Sequence, residues 1–576
     1  MIVGDTMSIT QQQKKSLGAF YTPTEIADFL AGWAIRSKQD VVLDPGSGEG
    51  VFMKSAHNRL VENGAGKKEA RKRIFGIEYD NDTYKILSSE FEGFNVIHSS
   101  FFDISPSKKQ NSGLPPMDAV IGNPPYIERE RLEGAHSIRE KMIESNNTDS
   151  PLHLVTDAYG YFLIHATSFL KNEGRLAFIV SDSWLNMDFG MALKAFLLKN
   201  YRINAIVGFE ERVFLNALVR TVLILAEKSQ DVGDNQVAFV RLKNIHDIEK
   251  LQPILDNKKK SDDSIKIMRI KQSELNFRDT WGVYLKASKS YFDIMAKPII
   301  IPLKEVANIG IGIQSLKNDF YIVDEDRAQQ LGLEKKFLEE VVMSPRSSPI
   351  VIENKKQIHD FVIYCDKYQT ELKGTKLLEY VKKSEKSEVS QRGKEKKVIG
   401  YHNVPRINQA RRDPWYNMIP EIEKRCRGTI ILPRRSYNRF FAVWNKARVV
   451  VNDNFINIEP KNPSHVMPLL AILNSSFFEY LCRVRSQTYG GGIHDLRPDD
   501  VKNMPLINPN TISKEKLREL GKAYDKFVKS GGTDRIAIDS IMKDILNLKK
   551  SNWMELKKNQ DELGLLASIS SGKGKK

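Results

Sequence analysis

Three observations predict an α/β protein: a Rossmann-like, doubly wound domain of seven strands, followed by a mixed α+β region. Short β-branched apolar runs alternate with helical patterns over residues 1–245, as expected of parallel strands joined by crossover helices. A glycine-rich turn, DPGSGEG at 44–50, directly follows the first run, where a strand-to-helix turn meets a ligand in such sheets. The charge is divided along the chain. Residues 1–240 carry 26 Lys+Arg against 30 Asp+Glu, a net of −4, and the remainder 62 against 42, a net of +20, which gives +16 in all.

The elements follow in order. Thr22 is a candidate helix cap, with Pro23 at the first helical position and Glu25 three residues on, as in a capping box. Strands are expected at Val41–Leu43, Ile74–Ile77, Asn95–His98, Ala119–Ile121, Leu176–Val180, Ala205–Gly208 and Thr221–Ala226. The polar stretch Asp256–Ser264 reads as a linker. Beyond it, Ile350–Ile352, Ile430–Leu432, Phe440–Trp444 and Val449–Val451 look like strands between basic loops, and helical patterns return at Ser464–Arg483 and Ser513–Leu548. From Ser568 the Ser/Gly/Lys-rich tail has the composition of a disordered end. The 576 residues thus divide into domains at 1–245, 246–505 and 506–576, within the two to four that about 100–200 residues per domain allow.

Composition excludes several classes. Hydrophobic residues make up 41% and charged residues 28%, a soluble globular balance. No stretch supplies the roughly 18 apolar residues of a membrane span; even Val219–Ala226 is interrupted by Arg220. No signal peptide is visible. Cys365, Cys426 and Cys482 are far apart without CxxC spacing, so neither a zinc site nor a disulfide framework is expected, and a reducing cytoplasm is. The basic back half is the footprint of a polyanion partner, or a solvated basic face.

The sharpest motif is Asn123-Pro124-Pro125-Tyr126, one glycine after the run Ala119–Ile121. A strand end places it at the carboxyl edge of the sheet, where ligands bind. The prolines donate no N–H, so their carbonyls can accept. An Asn oxygen beside such a carbonyl makes a two-acceptor clamp for an NH₂ group, and Tyr126 adds a flat face for a planar ring. The same residues would also suit a plain proline-rich turn. Glu78, closing the second strand, is placed to accept from ribose hydroxyls.

Taken with Gly18-Ala19-Phe20-Tyr21-Thr22-Pro23 at the front, these motifs resemble the gamma class of S-adenosylmethionine-dependent amino-methyltransferases, the TaqI-like N6-adenine DNA methyltransferases. The segment from Gly174-Arg175-Leu176 to Ser183-Trp184-Leu185 resembles the family's sixth conserved segment, and Phe214 its aromatic that stacks on the extruded adenine. The resemblance covers about the first 230 residues. It implies a methyltransferase domain in which Tyr21, Thr22, Asp44, Gly46 and Gly48 line the methionine and sugar of S-adenosylmethionine, Glu78 holds the ribose and Phe101 borders the adenine. Ser100 stands where the family has an Asp, and Asp103 is the nearby acid that could replace it.

The chemistry expected is direct methyl transfer to N6 of a flipped adenine. Asn123 and Pro124 accept the amino hydrogens, and Tyr126 and Phe214 sandwich the base. Arg406, Arg411, Arg412, Arg434, Arg435 and Arg439, set among Asn, Gln and Tyr, are candidates for contacts to double-stranded DNA. Gly490-Gly491-Gly492 marks a hinge, a close DNA contact or a plain turn. A cognate restriction endonuclease is an implied partner and a prokaryotic cytoplasm with nucleoid association the implied location; no metal and no membrane are expected. The start of the motifs at Gly18 leaves no room for a preceding nuclease domain. An N4-cytosine DNA or protein-glutamine methyltransferase, or a DNA-specificity subunit without its own activity, are the alternatives.

Overall fold

The computed structural model describes residues 22–106, 113–125, 158–211, 213–214, 220–258, 262–345, 348–391, 394–425, 427–436, 439–489 and 493–570. The chain forms two compact units, one built mainly from residues 1–287 and the other from 288–488 and 493–565.

The first unit follows the alternating pattern. Its elements are α1 (Thr24–Ala34), β1 (Val42–Asp44), α2 (Val51–Glu62), β2 (Ile74–Glu78), α3 (Asn81–Glu90), β3 (Asn95–His98), β4 (Met117–Gly122), α4 (Ala158–Phe169), β5 (Leu170–Ser181), α5 (Gly190–Asn200), β6 (Tyr201–Phe209), β7 (Thr221–Lys228), β8 (Gln236–Leu242), β9 (Ile265–Lys271) and α6 (Gly282–Lys286). One sheet runs β3-β2-β1-β4-β5-β7-β6-β8-β9. All seven expected strands are present, in a doubly wound order with β7 antiparallel to both neighbours. Two more follow: β8 pairs parallel to β6, and β9 antiparallel to β8. The unit therefore runs past residue 245, and the stretch 256–264 read as a linker lies between two of its elements rather than after them. Alternation within each run gave no warning, because β9 earns its place only by pairing across the sheet.

Each face of the sheet carries its own apolar core. Val120, Phe178, Ile206, Val222 and Phe239 point to one face with α4 and α5, and Ile121, Ile179, Val207, Leu223 and Val240 to the other with α1 and α2. Full burial of each such side chain stabilises the fold by roughly 1.5–3 kcal/mol. Parallel strands covered on both faces read as continuous apolar runs, which is why they were legible.

The start of α1 differs from expectation. Pro23, not Thr22, holds the cap position, no side chain caps the helix, and Thr22 is used elsewhere.

The second unit holds a five-stranded sheet in the order Ala307–Ile311, Phe455–Pro460, Ile430–Pro433, Val443–Asn445, Val351–Ile352, and a four-stranded one, Ile322–Asp324, Asp360–Ile363, Leu338–Val342, Val450–Val451. The two long helical patterns are each broken. Ser475 caps Ser476–Arg485 by accepting from Phe478 N, which separates it from Val466–Leu473. Gly531 and Gly532, both at positive φ, separate Lys514–Lys529 from Ile536–Ile545. The last helix, Lys550–Ser570, reaches into the stretch expected to be disordered; residues 571–576 lie outside the described ones.

Candidate active site

Parallel strands bring Asp44, Glu78 and Asn123 to one edge of the sheet, at or just beyond the carboxyl ends of β1, β2 and β4. Asp44 is 1% exposed. Its Oδ1 accepts from Gly46 N–H at 3.4 Å, while Oδ2 is buried without a hydrogen-bond partner. Burial pushes this carboxyl up to about 8; the Gly46 N–H and Ser47 oppose the shift and the Glu78 charge adds to it. An orphaned buried carboxylate oxygen is costly unless something cationic or protic completes it.

The glycine turn beside it is open. Gly48 has a φ of +51°, and a Cβ there would meet nothing within 4 Å; one at Gly46 would meet only Phe162 Cε1, at 3.8 Å. Glu78 reaches across from β2. Its Oε2 accepts from Gly48 N–H and its Oε1 from Asp80 N–H, both at 2.8 Å. Burial raises its pKa, and the backbone N–H groups of Asp80, Gly48 and Tyr79 hold it down. A carboxylate has about four lone-pair sites, so acceptor capacity remains for a ligand's hydroxyl.

Asn123 Nδ2 donates to Thr22 Oγ1 at 3.1 Å. Thr22 is thus a partner of the clamp residue and not a helix cap. Pro124 is buried and Pro125 half-buried. At Gly122 a Cβ would lie 3.1 Å from Asp44 Oδ1, so the two loops approach closely at a residue without a side chain. Tyr21 and Tyr126 lie outside the described residues.

Phe101 is 2% exposed. Its ring centroid lies 5.2 Å from that of Phe162, 4.6 Å from His165 and 5.5 Å from Phe169. The structure leaves Asp103 exposed on the short 3₁₀ turn Phe101–Asp103, while Ser100 precedes that turn. His165 was not expected here. Its Nε2 is 2.9 Å from Ile104 O and 3.2 Å from Phe101 O, and burial lowers its pKa. It braces the turn that carries Phe101, and a lone His on an apolar helix gave no signal of this. Phe214 is 5% exposed and belongs to the apolar cluster on the α1 side of the sheet.

Comparison with known proteins adds to this geometry. The model of the N-6 DNA methylase family matches residues 6–279, and that of the C-terminal domain of the Type II methyltransferase M.Eco57I matches 283–543. The chain is an adenine-specific DNA methyltransferase, as its motifs predict. The Type II methyltransferase M.AccI of Acinetobacter calcoaceticus is 23% identical over 95% of this chain and 96% of its own length. M.HincII of Haemophilus influenzae is 29% identical over 37% of this chain and 38% of its own. Among solved structures, the Type IIL restriction-modification enzyme MmeI in complex with DNA matches with a TM-score of 0.55 at 13% identity, over 99% of this chain and 74% of that one, a likeness of fold. Among the described residues, no cluster of His, Cys, Asp or Glu could hold a metal ion, and no helix is long and apolar enough to cross a membrane.

In this methyltransferase the candidate DNA-contacting arginines fall into two groups. Arg406, Arg411 and Arg435 are exposed, and Arg435 Nε also lies 3.7 Å from Asp495 Oδ2. The other three are engaged within the second unit. Arg434 makes a two-pronged pair with Asp495, at 2.9 and 3.3 Å, and Asp495 is 2% exposed. Arg412 donates to Gln314 O at 2.9 Å and Ser315 O at 3.3 Å and lies 5.0 Å over the Tyr321 ring. Arg439 lies over the rings of Phe441 and Phe527, at 5.7 and 5.9 Å, and burial lowers its pKa. The glycine run 490–492 lies outside the described residues.

Proposed function

We propose that this methyltransferase acts site-specifically on duplex DNA, with S-adenosylmethionine as methyl donor and the Asn123–Pro124 clamp as the group that activates N6 of an extruded adenine. The observation that carries the reading is the Asn123–Thr22 hydrogen bond. With Nδ2 engaged by Thr22, the amide directs its one acceptor, Oδ1, away from that partner. Oδ1 and the Pro124 carbonyl then take the two amino hydrogens, which favours electron density on the nitrogen and strengthens as it becomes tetrahedral.

The residues present fit the donor. Asp44 Oδ2, buried and unpaired, suits the α-ammonium, the open turn at Gly46 and Gly48 leaves room for the methionine chain, and Glu78 keeps acceptor sites for ribose. S-adenosylmethionine supplies an electrophilic sulfonium methyl when bound. Tyr21 and Thr22 would border the methionine, Phe101 the adenine and Asp103 its amino edge; of these Asp103 is least well placed, being exposed. Tyr126 and Phe214 are the flat faces that would hold the extruded base.

The second unit would read the target sequence. The exposed Arg406, Arg411 and Arg435 support this, as does its match to the C-terminal domain of a Type II methyltransferase. Relatives named as Type II methyltransferases support a place in a restriction-modification system beside a cognate endonuclease.

Expression in a methylation-free host, followed by single-molecule mapping of modified bases, tests the reading. N6-methyladenine at one short motif is expected, lost in Asn123→Ala. N4-methylcytosine instead would favour the cytosine-modifying alternative, and an unmodified genome would overturn the assignment.

A further inference from the structure

Along the edge of the first sheet that carries the glycine turn, β2 lies between β1 and β3. Glu78, closing β2, is level with His98 on β3, and Ser99 N–H donates to Glu78 O at 3.1 Å. The chain then enters the 3₁₀ turn Phe101–Asp103. Phe162 of α4 reaches both sides of this region. Its ring lies 5.2 Å from that of Phe101 and 4.8 Å from that of Phe102, and its Cε1 would be 3.8 Å from a Cβ on Gly46. A donor whose amino acid meets Asp44 on β1 and whose ribose meets Glu78 on β2 must therefore direct its base toward the end of β3.

The turn at that end is weakly tied by its own atoms. Asp103 N–H donates to Ser100 O at 3.0 Å and Ile104 N–H to Phe101 O at 3.2 Å, and Ser100 gives the turn no side-chain cap. Hydrogen bonds of the 3₁₀ type have poor geometry, which keeps such turns short. His165 supplies support from α4, from 61 and 64 positions away in sequence. Its Nε2 lies 2.9 Å from Ile104 O and 3.2 Å from Phe101 O. Both partners are carbonyls, which only accept, so Nε2 carries the proton and shares it between them. Edge-to-face contacts to Phe101 at 4.6 Å and Phe169 at 5.1 Å fix the ring in turn. A histidine that only filled the core would need one acceptor; this one holds two carbonyls of a single distant turn.

We propose that His165 is a positioning residue of the donor site: it holds the turn Phe101–Asp103 where the donor's base arrives, and both donor affinity and the choice of adenine over another purine depend on it. Ser100 adds weight to this role. With a hydroxyl rather than a carboxylate at the head of the turn, recognition of the base's amino edge rests on neutral hydrogen bonds. These weaken steeply as distance and angle depart from the ideal, so the placement of the turn decides them. The inference rests on the methyltransferase reading above.

The test uses the full-length enzyme, with S-adenosylhomocysteine and its 6-oxo (inosyl) analogue as probes in calorimetry. His165→Leu keeps an apolar side chain and removes the N–H. It should bind S-adenosylhomocysteine roughly 5- to 100-fold more weakly, the range that losing two ordinary hydrogen bonds can transmit, and lose most of the preference for it over the inosyl analogue. In methylation assays its donor KM should rise by the same factor, while kcat at saturating donor and DNA affinity change far less. His165→Gln, whose amide N–H can reach the same carbonyls, should restore affinity and preference together. Unchanged affinity in His165→Leu, a weakening that spares the preference, or failure of His165→Gln to restore it would overturn the role and leave His165 a core residue. If His165→Leu does not fold, wild type labelled with ¹⁵N-histidine decides. The His165 signal, identified by its absence from His165→Gln, should show a proton on Nε2 and move when S-adenosylhomocysteine is added; a signal that stays in place overturns the proposal. Wild type that binds neither probe would sink the donor reading and this inference with it, whereas wild type that binds no better than His165→Leu sinks this inference alone.

Discussion

Thr22 Oγ1 accepts from Asn123 Nδ2 at 3.1 Å, joining two residues 101 positions apart. In the proposed clamp the hydroxyl would fix which end of the amide meets the substrate. Thr22→Val keeps the shape and removes the acceptor. A neutral hydrogen bond is worth about 0.5–1.5 kcal/mol, so the single-turnover methylation rate should fall roughly 2- to 10-fold, with Thr22→Ser close to wild type. In an Asn123→Ala background, Thr22→Val should cost nothing further. Additive losses in that double variant would show that Thr22 acts on something other than the amide.

Asp44 predicts a proton release. Its carboxyl titrates near 8 in the folded protein, against an ordinary value of 3.8. Between those values the unfolded chain is ionised at this residue and the folded one is not, so the folded state binds more protons and stability falls as pH rises through the window. Asp44→Asn should flatten this part of the stability curve, raising stability at pH 8 relative to wild type in denaturant melts. An ammonium ligand drives the opposite ionisation. Calorimetry at pH 6.5 in buffers of different ionisation heat should therefore show close to one proton released per donor analogue bound by wild type, and none by Asp44→Asn, whose affinity should be at least tenfold weaker.

Phe214 can be separated from its packing role. It is 5% exposed, so Phe214→Ala would open a cavity as well as remove a ring. Phe214→Leu keeps most of the apolar volume and loses the flat face. Stacking is worth about 1–3 kcal/mol per base, so methylation should slow by roughly 5- to 150-fold while the melting temperature barely moves. A wild-type rate in Phe214→Leu would remove Phe214 from the base pocket.

The arginines of the second unit should divide by experiment as they do by structure. Arg406→Ala and Arg435→Ala should weaken DNA binding and lower the salt slope by up to about one each, with little change in melting temperature. Arg434→Ala leaves the buried Asp495 only the longer, 3.7 Å contact to Arg435 Nε, so it should melt earlier, by less than the about 3–5 kcal/mol of a fully broken buried pair. If Arg434→Ala lost DNA affinity without losing stability, the Arg434–Asp495 pair would be a DNA-binding device rather than a brace.

Much of the first unit was readable because its signals are local. Apolar runs mark doubly covered strands, and a glycine turn and an Asn-Pro-Pro each sit within a few residues of a strand end. What could not be read depends on partners distant in sequence. Thr22 has the composition of a cap, and only folding brings Asn123 to it. Arg434 and Arg435 are adjacent, chemically alike and both within reach of Asp495 on a neighbouring strand, yet the first is half-buried and bound at 2.9 Å whereas the second is exposed and lies at 3.7 Å.

Glu78 has a consequence for redesign. The same carboxylate that would grip the ribose also ties the glycine turn to β2 through Gly48 N–H and shapes the next turn through Asp80 N–H. Replacing it to admit an altered sugar would slacken the wall behind the donor at the same time. Gly46 offers more latitude than Gly48, whose φ of +51° admits few residues beyond Gly, Asn and Asp. A variant meant to carry donors with larger alkyl groups is therefore better sought by reshaping the Gly46–Phe162 side than by trading away the acid.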